Sequence, residues 1–138
     1  MRVVLDTCIL KLATFPADNN ASALIYELAR AGLIEACVSP AILDDYADVL
    51  GDDPEFVAEI VENFPVCYPL TELSVIRHEP DNRFLECALA AKSEFIVTVN
   101  TAPGHFDRTQ YQTVNVVRPG EFLNVPEVGR LVKKLIRG

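Results

Sequence analysis

Three aspartates stand where a carboxylate has chemistry open to it: Asp6, Asp45 and Asp81. Asp6 follows the apolar run Val3-Val4-Leu5, and Asn100 follows Phe95-Ile96-Val97-Thr98-Val99. In open parallel sheets ligands bind beyond the carboxyl ends of strands, so polar residues at those two places are well positioned. Taken singly, each would serve equally well as a turn residue. Asp44 and Asp45 are adjacent, and on a helix they point about 100° apart. Asp45 lies three residues after Ile42 and four before Val49, on the margin of the apolar side, whereas Asp44 groups with Ala41 and Asp48 on the outward side. Asp81 opens an amphipathic stretch and projects with Leu85 and Ala88, although an acid at a helix start also serves as a cap or a dipole partner.

Carboxylates brought together from such distant positions would repel one another and bind protons more tightly unless a cation compensated them. Oxygen-only ligation completed by water suits Mg²⁺ or Mn²⁺ better than zinc or copper. A centre of that kind activates water and neutralises charge on a phosphodiester without a His, Cys or Ser nucleophile. The expected metal ligands are therefore Asp6, Asp45 and Asp81, with Asn100 as a fourth polar position in catalysis.

The elements that must position these residues follow from the pattern of the chain. Residues 2–5 read as a strand buried on both faces, because their apolar run does not alternate. Residues 20–31 have helical spacing and are followed by Gly32, and residues 33–38 read as the second strand. Ser39-Pro40 opens a helix through Leu50, and Asp53-Pro54 opens another to about Asn63. Residues 66–69 form a short edge strand between prolines, and a connection of about ten residues leads to a helix over 81–92. Strands over 94–99 and 114–117 follow, with loop at 101–108, a helical turn at Pro119 and a last helix over 128–136. That last helix carries Arg130, Lys133, Lys134 and Arg137 opposite its apolar stripe. Strands alternating with helices predict an α/β domain with a mostly parallel sheet, and 138 residues fit one domain spanning 1–138.

Composition limits the function classes. No apolar run is long enough for a membrane span or a signal-peptide core, so a soluble cytoplasmic protein without membrane contact is expected. The four cysteines contain no Cys-x-x-Cys pair, which points to reduced buried thiols rather than disulfides or a thiolate zinc site. The net charge of −8 argues against a nucleic-acid partner only on average. Residues 1–69 hold 3 basic and 12 acidic side chains, while residues 70–138 hold 9 basic and 8 acidic, which leaves the second half able to make local phosphate contacts.

The ordered set of segments resembles the PIN domain family, and within it the VapC-like toxin components of toxin–antitoxin systems. Arg2-Val3-Val4-Leu5-Asp6-Thr7-Cys8-Ile9-Leu10 is similar to the family's first strand and first acid, and Ser39-Pro40-Ala41-Ile42-Leu43-Asp44-Asp45-Tyr46 to the segment of the second acid. Pro80-Asp81-Asn82-Arg83-Phe84-Leu85-Glu86-Cys87-Ala88-Leu89, then Phe95-Ile96-Val97-Thr98-Val99-Asn100, resembles the third acid's helix and the strand carrying the fourth position. Val117-Arg118-Pro119-Gly120-Glu121-Phe122-Leu123 is similar to the closing strand and turn. The resemblance implies a three-layer α/β/α sandwich, Mg²⁺- or Mn²⁺-dependent cleavage of single-stranded RNA, a homodimer and a cognate antitoxin. Cys8 stands where many relatives have Asn, and Asn100 where many have a fourth Asp.

Around this core, Thr7, Thr98, Glu86, His105 and Arg83 are candidates for supporting or substrate contacts, with Glu86 expected to face away from Asp81. His105 and Arg83 would contact phosphate, although lone loop histidines and exposed arginines mostly have no such task. The competing reading, resting on Asn100 and the acidic balance, is a catalytically weak or inactive module that binds RNA or protein. A phosphatase using an aspartyl nucleophile wants a second Asp two residues after the first, where this chain has Cys8.

Overall fold

The computed structural model describes residues 1–18 and 20–138. Among them the chain runs β1 (Arg2–Leu5), α1 (Thr7–Ala13), α2 (Ala21–Arg30), β2 (Glu35–Ala36), α3 (Pro40–Leu50), α4 (Pro54–Asn63) and α5 (Asp81–Ala90). It continues through β3 (Phe95–Val97), β4 (Gln110–Tyr111), β5 (Val114–Val117), α6 (Pro119–Leu123) and α7 (Pro126–Arg137). None of these helices is long and apolar enough to cross a membrane.

The five strands form one sheet in the order β2-β1-β3-β5-β4, parallel except for β4, which pairs antiparallel with β5. Val3, Val4, Leu5, Ile96 and Val97 are fully buried, as two-sided coverage of central strands requires. Each such side chain contributes about 1.5–3 kcal/mol by leaving water. From β1 the chain moves to one side, to β2, and then crosses to the other, to β3. Helix α5 packs against β1, β3 and β5, while α1 packs on α2 and both are met by α3 and α4, with Tyr26 of α2 against Phe56 of α4. Right-handed crossovers taken in opposite directions place helices on both faces, giving an α/β/α sandwich. The order therefore reverses between β1 and β3, and a crevice opens beyond the carboxyl ends of those two strands.

Several elements differ from the sequence reading. Helix α1 starts directly after Asp6, where only a strand end was expected. The second strand shrinks from 33–38 to Glu35–Ala36, and 66–69 supplies only an isolated bridge between Val66 and Val38. Pro65 and Pro69 flank that bridge and cannot donate to a ladder. Strand β4 is new, two residues at the sheet edge, too short to leave a periodic signal.

Candidate metal centre

Asp6 occupies the cap position of α1, yet its side chain makes no capping bond. It turns instead across the crevice to β3, where the Thr98 hydroxyl donates to Oδ2 at 2.7 Å. That hydroxyl in turn accepts the Asn100 N–H at 2.9 Å, so one threonine joins the ends of β1 and β3. The Asp6 carboxyl is 5% exposed and holds its proton more tightly than an ordinary carboxylate, chiefly because burial penalises the charge. The nearby charge of Asp81 adds to the shift, and the Thr98 hydrogen bond works against it.

Helix α3 brings Asp45 to the same place. Ser39 caps its start by accepting from the Ile42 N–H at 3.2 Å, and Pro40 sits in its first turn. The fully buried Tyr46 hydroxyl donates to the Leu5 carbonyl at 2.5 Å, fixing the helix against the end of β1. Asp45, one residue earlier, then meets the Thr7 hydroxyl, which donates to its Oδ2. Asp44 is exposed, as the helical geometry of the sequence requires.

Asp81 begins α5 but caps nothing, and the cap position belongs to Pro80. Its carboxylate faces two imidazoles: His105 Nδ1 lies 3.0 Å from Oδ2 and His78 Nδ1 lies 4.0 Å from Oδ1. The balance still favours the protonated carboxyl more than usual, because burial outweighs the two histidines and the charge of Asp45 adds to it.

Asp6, Thr7, Cys8, Lys11, Asp45, His78, Asp81 and Asn100 all line one cleft of about 250 Å³. Three carboxyls held there, two of them reluctant to ionise, form a donor set whose charge a divalent cation would offset. Cys8 adds no thiolate, since burial and the Asp6 charge push its pKa up to about 11. Asn100 is exposed, and Lys11 brings a positive charge to the rim. Two larger hollows, about 470 and 370 Å³, are flanked by Tyr68, Leu70 and Glu86, and the carboxylate they share is already paired.

Thr98 and His105 join the cleft through Asp6 and Asp81, whereas Glu86 and Arg83 lie away from it. Glu86 is buried rather than superficial: it accepts the Leu73 N–H at 2.7 Å and pairs with Arg83 at 3.0 Å. Arg83 also pairs with Glu79 at 2.8 Å and Glu72 at 3.5 Å, so its guanidinium is occupied by three acids and is not free for phosphate. Together they fasten residues 72–79 to α5.

His78 and Asn82 escaped the sequence reading. Asn82 is fully buried; its Oδ1 accepts from Val75 N–H at 3.0 Å and Ile76 N–H at 2.9 Å, and its Nδ2 donates to the Ile76 carbonyl at 2.9 Å. That amide shapes the connection which presents His78. The available signal for Asn82 is a polar residue directly after Asp81 in line with Leu85, Glu86 and Leu89 on one side of the helix. His105 is held by its neighbour Phe106, which is 1% exposed and anchors the loop in the core.

The family model for the PIN domain matches residues 2–102, a span that includes Asp6, Asp45, Asp81 and Asn100. A search of curated proteins finds no match. PIN domains are generally metal-dependent nucleases, and the switch-point cleft, with carboxylates drawn from β1, α3 and α5, is where such chemistry would have its donors. By its matched length and its architecture, this chain belongs to the PIN domain family.

Proposed function

We propose that the protein is a Mg²⁺- or Mn²⁺-dependent endoribonuclease of single-stranded RNA, and that it is the toxin of a toxin–antitoxin pair. The observation that carries the reading is the shared cleft of Asp6, Asp45 and Asp81, elements 36 or more residues apart in sequence meeting with no Lys or Arg paired to any of them among the described residues. In this reading Asp6, Asp45 and Asp81 hold the cation and Asn100 is the fourth polar group. Bound there, the cation supplies Lewis acidity for attack of water on the phosphodiester.

The chain's own residues divide the remaining tasks. Thr98 holds one oxygen of Asp6 and leaves the other free for the cation. Thr7 orients Asp45 in the same manner. Lys11 at the rim is the cation suited to a substrate phosphate. A homodimer, a cytoplasmic location and a cognate antitoxin belong to the same proposal.

The experiment is cleavage of single-stranded RNA by the purified chain with Mg²⁺ or Mn²⁺, alongside Asp6→Asn. Cleavage that requires the metal and is lost in the variant is expected. Absence of cleavage with either metal, together with Asp6→Asn relieving no growth inhibition, defeats the proposal.

Asn100 in place of a carboxylate favours a second reading, a binding module without turnover. Divalent-metal binding without any RNA cleavage would select it.

A further inference from the structure

His78, Asp81 and His105 come from three separate segments, and each offers a ligand atom within 4.8 Å of the other two. The imidazole rings stack with centroids 4.5 Å apart and planes inclined by 29°. Each ring presents Nδ1 to a different oxygen of one carboxylate. The arrangement is built rather than incidental. The His78 N–H donates to the Gly104 carbonyl at 2.7 Å, joining the two loops. Gly104 adopts φ +91°, a backbone conformation that L side chains rarely adopt. Asn82 and Phe106 then anchor the two sides.

An ordinary ion pair needs one histidine beside an aspartate. Here two stacked imidazoles converge on one carboxylate, a nitrogen donor more than an ion pair requires. Imidazole nitrogens are common metal ligands, and here a nitrogen of each ring and an oxygen of Asp81 lie within 4.8 Å of one another. Four-coordinate zinc, with bonds near 2.1 Å, spaces its donors about 3.4 Å apart. The Asp81 separations of 3.0 and 4.0 Å bracket that spacing, so small side-chain rotations would complete a site.

We infer that His78, Asp81 and His105 form a transition-metal site of the zinc class, adjoining the carboxylate position and sharing Asp81 with it. Two nitrogens and one oxygen, with water completing the shell, select zinc-like ions over Mg²⁺, which demands oxygen. The inference rests on reading the cleft as a cation site, but it concerns different donors and a different ion. One helix start would then serve a hard cation on the Asp6 and Asp45 side and a softer one on the histidine side.

The test is binding of Zn²⁺ and of Mg²⁺ to the whole chain by calorimetry, with Co²⁺ as a spectroscopic probe of the donors and circular dichroism as a check of folding. His78→Ala and His105→Ala should each weaken Zn²⁺ binding at least about tenfold and Mg²⁺ binding by far less. Asp45→Asn should do the reverse. The expected Co²⁺ spectrum has ligand-field absorption without thiolate charge transfer, and Cys67→Ser leaves it intact. Zn²⁺ binding that survives both histidine substitutions, disappears with Cys67→Ser, or is never observed overturns the inference. If RNA cleavage fails while histidine-dependent Zn²⁺ binding persists, the nuclease reading falls and this one stands. If Mg²⁺-dependent cleavage occurs without histidine-dependent Zn²⁺ binding, the reverse holds.

Discussion

Helix α5 carries two acids in almost the same degree of burial, with the Asp81 side chain 7% exposed and that of Glu86 8% exposed. Five residues apart, they point about 140° from one another. Glu86 meets a guanidinium and a backbone N–H, so its charge is answered inside the protein and its effect is to fasten a loop. Asp81 meets imidazoles and the repulsion of Asp45, and Asp6 beside it meets the Thr98 hydroxyl, the Thr7 backbone and the Cys8 thiol, with no Lys or Arg paired to either among the described residues. Burial alone therefore does not mark a functional acid. What separates the two ends of α5 is whether the fold supplies the countercharge or leaves it to something bound.

The sharpest test of that contrast is Asp6→Asn. Its RNA cleavage should fall by about 10³-fold, the scale of losing several kcal/mol of metal-borne transition-state stabilisation. The same substitution should raise the melting temperature of metal-free protein by about 3 °C, because the amide keeps the Thr98 hydrogen bond and removes a buried charge. The sign follows from linkage. The folded-state pKa of Asp6 is raised, so its contribution to metal-free stability is full below the ordinary carboxylate value and is lost as pH rises through the folded value. The thermal gain should accordingly be larger near about pH 7 than near about pH 5. A loss of metal-free stability in this variant would break the comparison.

Glu86→Ala should behave oppositely. Removing one member of a buried pair and orphaning the Leu73 N–H should cost about 3 kcal/mol in urea unfolding, with cleavage by the folded fraction unchanged. Asn82→Ala should cost about 2 kcal/mol, since the N–H groups of Val75 and Ile76 lose their acceptor. It should also loosen residues 75–79, which amide hydrogen exchange would register as faster exchange there than in α3. The smallest effect belongs to Asp44→Asn. This exposed neighbour of Asp45 should change stability by no more than about 0.5 kcal/mol and leave metal affinity as it was. A larger change would mean that the adjacent acids are not sorted by helix face.

That sorting is the clearest case of legibility in the sequence. A 3.6-residue period separates Asp45 from Asp44, and punctuation by Ser39-Pro40 and Asp53-Pro54 gives the starts of α3 and α4. The apolar runs of β1, β3 and β5 likewise announce themselves. What was hidden depends on distant partners. Arg83 and Glu86 are neighbours on one helix, but the loop at Leu73 that bonds to both follows a path no periodicity describes, and that contact withdraws them from the cleft. His78 lies in the connection before α5, and only the buried amide of Asn82 and the crossing with Gly104 bring it to Asp81. Helix α1 was missed because its first residues, Thr7 and Cys8, read as the turn after a strand. Residues 33–38 promise a longer strand than β2, which ends opposite Val3 although β1 runs on to Leu5, and Val38 bridges to Val66 instead.

The bond from Tyr46 to the Leu5 carbonyl has a bearing on how this chain tolerates change. A single phenol spans 41 positions of sequence and acts as a ruler between the first strand and the third helix. Insertions or deletions in the surface connection between α1 and α2 would alter the length of chain on one route between them without altering that measured distance. The cleft is thus insulated from variation in its own upstream loop, whereas Tyr46→Phe, a change of one oxygen atom, would unfasten it.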